Sequence, residues 1–252
     1  MINNSGTLMV DIHCHILPFL DDGPKSWEIA LEMCRLAGED GVEHIVATPH
    51  ANDRYAYDRK QAQAALDLLR QRSDPKLRFS LGCELFLSYD NLESALANPR
   101  NFIIGQTGYL LVELSSYGLP PAINDSLVRL RSRGLVPIIA HPERNPILQR
   151  NPTKIMEFVE QGCLTQVTAS ALTGAWGGVA RRSALWLLER GAVHVLASDA
   201  HDIKQRPPLL SAARQAVAKK FGEARAHALL EDHPRAILAG QPIPPVAPVS
   251  GS

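Results

Sequence analysis

The chain has 252 residues, 26 basic and 26 acidic side chains and no net charge. That length buries a substantial core, and 45% hydrophobic with 21% charged residues excludes a disordered chain. The charge balance argues against a broad nucleic-acid or anionic-membrane surface, and no stretch approaches the roughly 18 apolar residues of a membrane span.

The N-terminus has no charged start followed by an apolar run, so no secretory signal is visible and a cytoplasmic protein is expected. Residues 1–8 read as a disordered leader, 9–240 as one domain, and the Pro- and Ser-rich 241–252 as a mobile tail. Cys14, Cys34, Cys83 and Cys163 are widely spaced and are expected to be reduced thiols. None has an Arg six positions later, which excludes the C-x5-R loop of cysteine-dependent phosphatases.

Between the ends one rhythm repeats. Apolar runs at 9–12, 44–47, 79–82, 109–112, 136–140, 164–167 and 193–197 each end in a polar cluster, and helical stretches separate them. Runs without alternation suit parallel strands covered on both faces. Helical spacing follows in Trp27, Ala30, Leu31 and Cys34, with Ser26 as N-cap and Gly41 as stop. It returns around Ala62–Leu69, Ile123–Leu130, Ile155–Val159 and Ala184–Leu188, the last three stopped by Gly134, Gly162 and Gly191. Seven such units predict a closed or nearly closed α/β barrel, with an open doubly wound sheet as the alternative. No G-x-G-x-x-G or P-loop follows any strand.

Barrel enzymes place their chemistry on the loops after the strands. There this chain carries Asp11-Ile12-His13-Cys14-His15, Thr48-Pro49-His50, Cys83-Glu84, Val112-Glu113, His141-Pro142-Glu143-Arg144 and Ser198-Asp199-Ala200-His201. In an H-x-H strand both imidazoles share a face. Imidazole with carboxylate is a first-row transition-metal set, and the many carboxylates favour more than one ion. His44 and His194 begin strands at the other end, and His227 and His233 lie in the C-terminal helical region, so these four are read as structural. Arg144 and Arg206 follow the clusters and offer bidentate binding to phosphate.

These residues carry a resemblance. Residues 11–18 with Asp21-Asp22-Gly23-Pro24, followed in order by the T-P-H, C-E-L, V-E, H-P-E-R and S-D-A-H elements and Arg206-Pro207-Pro208, resemble the polymerase and histidinol phosphatase (PHP) superfamily. Within it they resemble the bacterial metal-dependent tyrosine-protein phosphatases of capsule and exopolysaccharide operons. The likeness spans roughly 9–240. One departure is Ala51, where the family usually has a second His after T-P-H.

The resemblance implies a distorted (β/α)7 TIM-like barrel with three divalent metals, commonly manganese, iron, cobalt and zinc being the alternatives. It places His13, His15 and Asp199 on one metal. Glu84 would bridge to a second, held also by Glu113 and His141. Asp22, with Asp21 as its rival, would join His50 and His201 on the third. Arg144 and Arg206 would bind the phosphoryl group, and Asp199 or a water would deliver a proton. The implied substrate is the phosphotyrosine tail of a bacterial tyrosine autokinase. A phosphatase of small monoesters such as histidinol phosphate is the alternative, and a non-catalytic module keeping a degenerate site is the reading from outside the enzymes.

Overall fold

In the computed structural model, which describes residues 8–248, β1 (Met9–Cys14) pairs in parallel with β2 (Val42–Ala47). The expected leader, apart from Leu8, and residues 249–252 of the expected tail lie outside the described residues. β2 breaks at Thr48-Pro49 and resumes as β3 (His50–Ala51). Pro49 has no N–H to give a ladder, so the strand bends there. β4 (Arg78–Leu81), on the far side of β2, breaks likewise at Gly82-Cys83 and resumes as β5 (Glu84–Phe86). β6 (Tyr109–Glu113), β7 (Val136–Ala140), β8 (Leu164–Thr168) and β9 (Val195–Ala197) follow in order beyond β5, every pairing parallel.

The ring closes between the last strand and the first. Asp199 N donates to His13 O and His15 N donates to Ala200 O, both at 2.8 Å. The seven expected runs therefore make a seven-position (β/α) barrel, and the open-sheet alternative falls. Helices stand between the strands where the spacing placed them. The first, Trp27–Glu39, starts at Ser26, whose hydroxyl accepts from Ile29 N at 3.3 Å.

Two apolar layers hold the barrel. Inside it lie Val10, Ile12, Val46, Leu111, Ile138, Val195 and Ala197, with Ile237 from a C-terminal helix. Their alternate neighbours Ile45, Leu110, Val112, Ile139 and Leu196 face outward under the helices. Gly82 packs tightly inside: a Cβ there would stand 3.2 Å from side-chain carbons of Ile104, Thr48 and Val46, so those neighbours would have to give by a few tenths of an ångström. Residues 241–248 form no helix or strand, and Tyr109 Oη donates to Gln241 O at 2.6 Å.

Candidate metal centre

The inner rungs of the barrel deliver the polar side chains. Along β6 the inward series Tyr109, Leu111 reaches Glu113 next. Along β9 the series Val195, Ala197 reaches Asp199. On β1 the register shifts between Asp11 and Cys14, so Cys14 joins the layer under the helices while His13 and His15 face the mouth. His50 and Glu84 are partners in register, with Leu111 beside Glu84. Phe19, His141 and Asp199 are the three non-glycine residues with positive φ among the described residues, two of them in this cluster. Such backbone is held only where its surroundings over-determine it.

Glu84 is the centre of the group. Its Oε2 lies 3.4 Å from His13 Nε2, 3.2 Å from His15 Nε2 and 3.0 Å from His50 Nδ1, and its Oε1 2.8 Å from His141 Nε2. Asp199 Oδ1 is 3.3 Å from His13 Nε2. Asp22 Oδ1 is 3.4 Å from His50 Nε2 and 3.3 Å from His201 Nε2. All nine expected ligands fall into groups whose donor atoms lie within 4.8 Å of one another. Those groups cut across the expected partition. Asp22, His50 and His201 come together with His15 added, whereas His141 stands with His13 and Asp199, and Glu113 with His50 and Glu84.

The donor set fits divalent cations. Glu84 Oε2, Asp199 Oδ1, His50 Nδ1 and His201 Nε2 are buried and make no well-directed hydrogen bond, although each has a polar atom of the cluster at 3.0–3.3 Å. Buried polar atoms left so cost free energy, and here four of them converge. Burial and repulsion from Glu84 push the Glu113 carboxyl up to about 7. A cation among these carboxylates relieves that repulsion, and imidazole with carboxylate suits first-row transition metals.

A second layer orients the ligands. Asp21 Oδ2 accepts from His15 Nδ1 at 2.7 Å and from His50 N at 3.1 Å, while its Oδ1 accepts from Gly23 N at 2.9 Å. Asp21 is thus spent behind His15, and Asp22 is the one facing the cluster. Gln166 Oε1 accepts from His13 Nδ1 at 2.9 Å and from His141 N at 3.3 Å. Asp11 ties the closing strands together by accepting from Ser198 N at 3.0 Å and Ser198 Oγ at 2.5 Å. Glu143 is fully buried and accepts from Thr168 N at 3.0 Å. Sequence reading missed Asp11, Gln166 and Glu143 as supports. The available signal was a polar residue inside an apolar run, as at Gln166 between Leu164 and Val167.

Arg144 and Arg206 meet at one atom. Arg144 Nη1 and Arg206 Nη2 both donate to Asp199 Oδ2, the latter at 2.6 Å. Burial opposes charge on Asp199, but His13 and the two guanidiniums outweigh it and hold the carboxyl well below its usual range. Asp199 therefore has no proton to deliver near neutrality, and its expected role as proton donor does not fit this geometry.

The remaining histidines lie elsewhere. His44 Nε2 meets Ser80 Oγ at 2.9 Å, and His194 Nδ1 accepts from Thr165 N at 3.1 Å. His233 Nδ1 donates to His194 O at 2.7 Å, and His227 pairs with Glu231 and Asp232. All four cysteines are free and buried. No helix among the described residues is long and apolar enough to cross a membrane.

Fold and site together define a (β/α)7 barrel with clusters of metal-type ligands at its mouth. The chain belongs to the CpsB/CapC family of capsular polysaccharide synthesis, whose model matches residues 9–239. It is 34% identical over 228 residues to tyrosine-protein phosphatase YwqE of Bacillus subtilis, covering 89% of each chain. It is 32% identical over 243 residues to tyrosine-protein phosphatase CpsB of Streptococcus pneumoniae, covering 92% of this chain and 99% of that one. A crystal structure from work on YwqE and CpsB, described there as metal-dependent tyrosine phosphatases, superposes with a TM-score of 0.85 at 32% identity over 96% of this chain and 100% of the other. A phosphotriesterase homology protein of Escherichia coli shares the fold alone, at 12% identity and a TM-score of 0.59 over 91% of this chain and 98% of that one.

Proposed function

We propose that this chain is a metal-dependent protein-tyrosine phosphatase acting through the centre at the barrel mouth. The observation that carries the reading is the convergence of nine imidazole and carboxylate ligands beside two guanidiniums. Three divalent ions, manganese first, would be held there. His13, His15 and Asp199 would hold one, Glu84 with Glu113 and His141 a second, and Asp22, His50 and His201 the third. Such ions supply Lewis acidity, neutralising a phosphate dianion and lowering the pKa of water.

The chain's own groups do the rest. Arg144 and Arg206 bind the equatorial phosphoryl oxygens, where charge builds during transfer. Asp199 anchors both arginines and stays ionised. Asp21 and Gln166 fix the rings of His15 and His13. The leaving phenolate has a pKa near 10 and departs without a strong general acid. The substrate is the phosphotyrosine tail of a bacterial tyrosine autokinase in capsule or exopolysaccharide synthesis, which places the work in the cytoplasm. Residues 9–240 form the catalytic domain.

The test compares turnover of a phosphotyrosine peptide and of histidinol phosphate by the purified protein. Chelation is expected to abolish peptide hydrolysis, Mn2+ to restore it, and thiol alkylation to leave it intact, since all four thiols are buried. Preference for histidinol phosphate would move the assignment to the small-monoester alternative. Activity that survives chelation with the metal gone would overturn the metal mechanism.

A further inference from the structure

Two like-charged guanidiniums share one carboxylate oxygen at the mouth, and they repel. Asp199 neutralises one positive charge of the pair and leaves the other. Arg144 Nη1 also donates to Thr168 Oγ1 at 3.4 Å, and what the two arginines share besides Asp199 is an indole. The guanidinium carbon of Arg144 lies 3.6 Å from the centroid of the Trp176 ring, and that of Arg206 lies 5.3 Å from it. Both distances are within the range of cation–π attraction. The chain's other two tryptophans each carry one arginine, Arg72 over Trp27 at 4.5 Å and Arg190 over Trp186 at 3.9 Å, neither of them at the metal centre. Among the described residues only Trp176 gathers two arginines.

The indole is itself fixed. Its Nε1 donates to Ser170 Oγ at 3.0 Å. It sits in the turn between the short helix Ala169–Leu172, which follows β8, and the helix Gly177–Glu189. Gly174 at φ +94° and Gly177 at φ +80° flank it. Ala175 N donates to Ser170 O at 3.1 Å and Gly177 N to Gly174 O at 3.0 Å, so the backbone of the turn is closed on itself. The arginines approach from equally ordered segments. Arg144 N donates to His141 O at 3.0 Å, and Arg206 O accepts from His201 N at 2.9 Å.

Stacking on a ring face uses none of a guanidinium's N–H donors, because they lie in its own plane. Arg206 Nε is buried and has no hydrogen-bond partner, a donor left over for an anion. We propose that Trp176 is a positioning residue of the phosphatase, a platform that holds Arg144 and Arg206 side by side with free in-plane donors before the phosphoryl group arrives. This rests on the reading of the arginines as the phosphate clamp. Ordering two long side chains in advance removes an entropy cost from substrate capture. The effect therefore falls on KM and on phosphate affinity, and metal content does not change.

The experiment uses the metal-loaded protein, a phosphotyrosine peptide as substrate and inorganic phosphate as a calorimetric probe. Trp176→Ala is expected to lower kcat/KM and weaken phosphate binding by roughly 10-fold each, mostly through KM, with bound metal unchanged. Trp176→Phe, which keeps a π face, should recover most of the loss. Trp176→Leu, apolar but without one, should not. In an Arg144→Ala/Arg206→Ala background, Trp176→Ala should cost less than about 2-fold, because coupled residues are not additive. Wild-type phosphate affinity in Trp176→Ala, rescue by Leu equal to that by Phe, or an undiminished loss in the arginine-free background would each overturn the platform. If the arginine variants bind phosphate as the wild type does, the clamp itself fails and the platform with it. Weak binding in those variants beside normal binding in Trp176→Ala sinks the platform alone.

Discussion

At the mouth of the barrel, burial disfavours charge on His15 and His50, yet Asp21 and Glu84 carry their pKa values up to about 9. At the base, burial again disfavours charge on His44 and His194, and there the values fall to about 4. The two ends bury histidine to a similar degree and differ in what faces it. At the mouth the imidazoles see carboxylates. At the base His44 sees Ser80 and the cations Arg78 and Arg70, which with burial outweigh the one carboxylate, Glu43, and His194 sees Thr165 and His233. Acidic company makes His15 and His50 places for positive charge, whereas His201 and His141 at the same mouth stay below the ordinary value, because burial and a neighbouring cation, His15 for the one and Arg144 for the other, outweigh their carboxylates. Protons and divalent metals compete for the same lone pairs there.

The sharpest way to break this contrast is to truncate one histidine at each end. His13→Ala, Glu84→Ala or His141→Ala should each lower bound metal and cut kcat/KM on the order of 10³-fold, the scale of several kcal/mol of Lewis-acid stabilisation. His44→Ala and His194→Ala should leave metal content at the wild-type value. Elemental analysis beside steady-state kinetics reads both. Equal metal loss from His194→Ala would show that the two ends are not distinct.

A smaller effect is expected from the glycine that lets the mouth close. A Cβ on Gly23 would stand 2.5 Å from His15 O and 2.9 Å from Asp21 Oδ1. Gly23→Ala must therefore push Asp21 away from His15 or move the strand end that carries the ligand. A displacement of about 1 Å at a reacting centre costs on the order of 10²-fold in rate. Added Mn2+ should restore part of the activity, since the ligands themselves remain. Wild-type kinetics in Gly23→Ala would mean the loop after β1 relaxes freely, and the tight fit would carry no functional weight.

The same contrast explains what could be read from the amino-acid sequence. The strands were legible because each is an apolar run, and the ligands at strand ends because a polar cluster interrupts each run. Asp22 is on a loop, where no periodicity reaches, and only the family resemblance marked it. β3 and β5 escaped notice since two or three residues after a break carry no pattern. The contacts among the nine ligands cannot be read from one strand at a time because they depend on inter-strand register: His50 comes level with Glu84 across the sheet, which brings it to Glu113 as well. Trp176 was invisible as part of the site, because its contacts join a turn after β8 to residues after β7 and β9. Aromatic-to-arginine stacking leaves no spacing rule in one dimension.

The gentlest probe acts on the base and leaves the chemistry untouched. His194 is neutral when folded, with a pKa near 4 set by burial and by His233, against 6.5 for an ordinary imidazole. The unfolded chain therefore binds a proton at this site between pH 6.5 and 4 that the folded chain does not. Stability from this group is fully present above pH 6.5 and is lost as the pH falls through that window. From pH 7 to pH 5 the loss amounts to about 2 kcal/mol for one such imidazole. His194→Asn places an amide oxygen near the position of Nδ1, able to accept from Thr165 N, and does not titrate. The variant can be less stable at both pH values because the fit is imperfect. Its drop between them should nonetheless be smaller than the wild type's by about that amount. Urea unfolding of the metal-loaded proteins at the two pH values measures the difference, and bound metal stays a shared term because the mouth is the same in both. Identical pH dependence would show that folded His194 takes up its proton over the same pH range as the unfolded chain, and the base of the barrel would then tolerate the charge that its burial is expected to forbid.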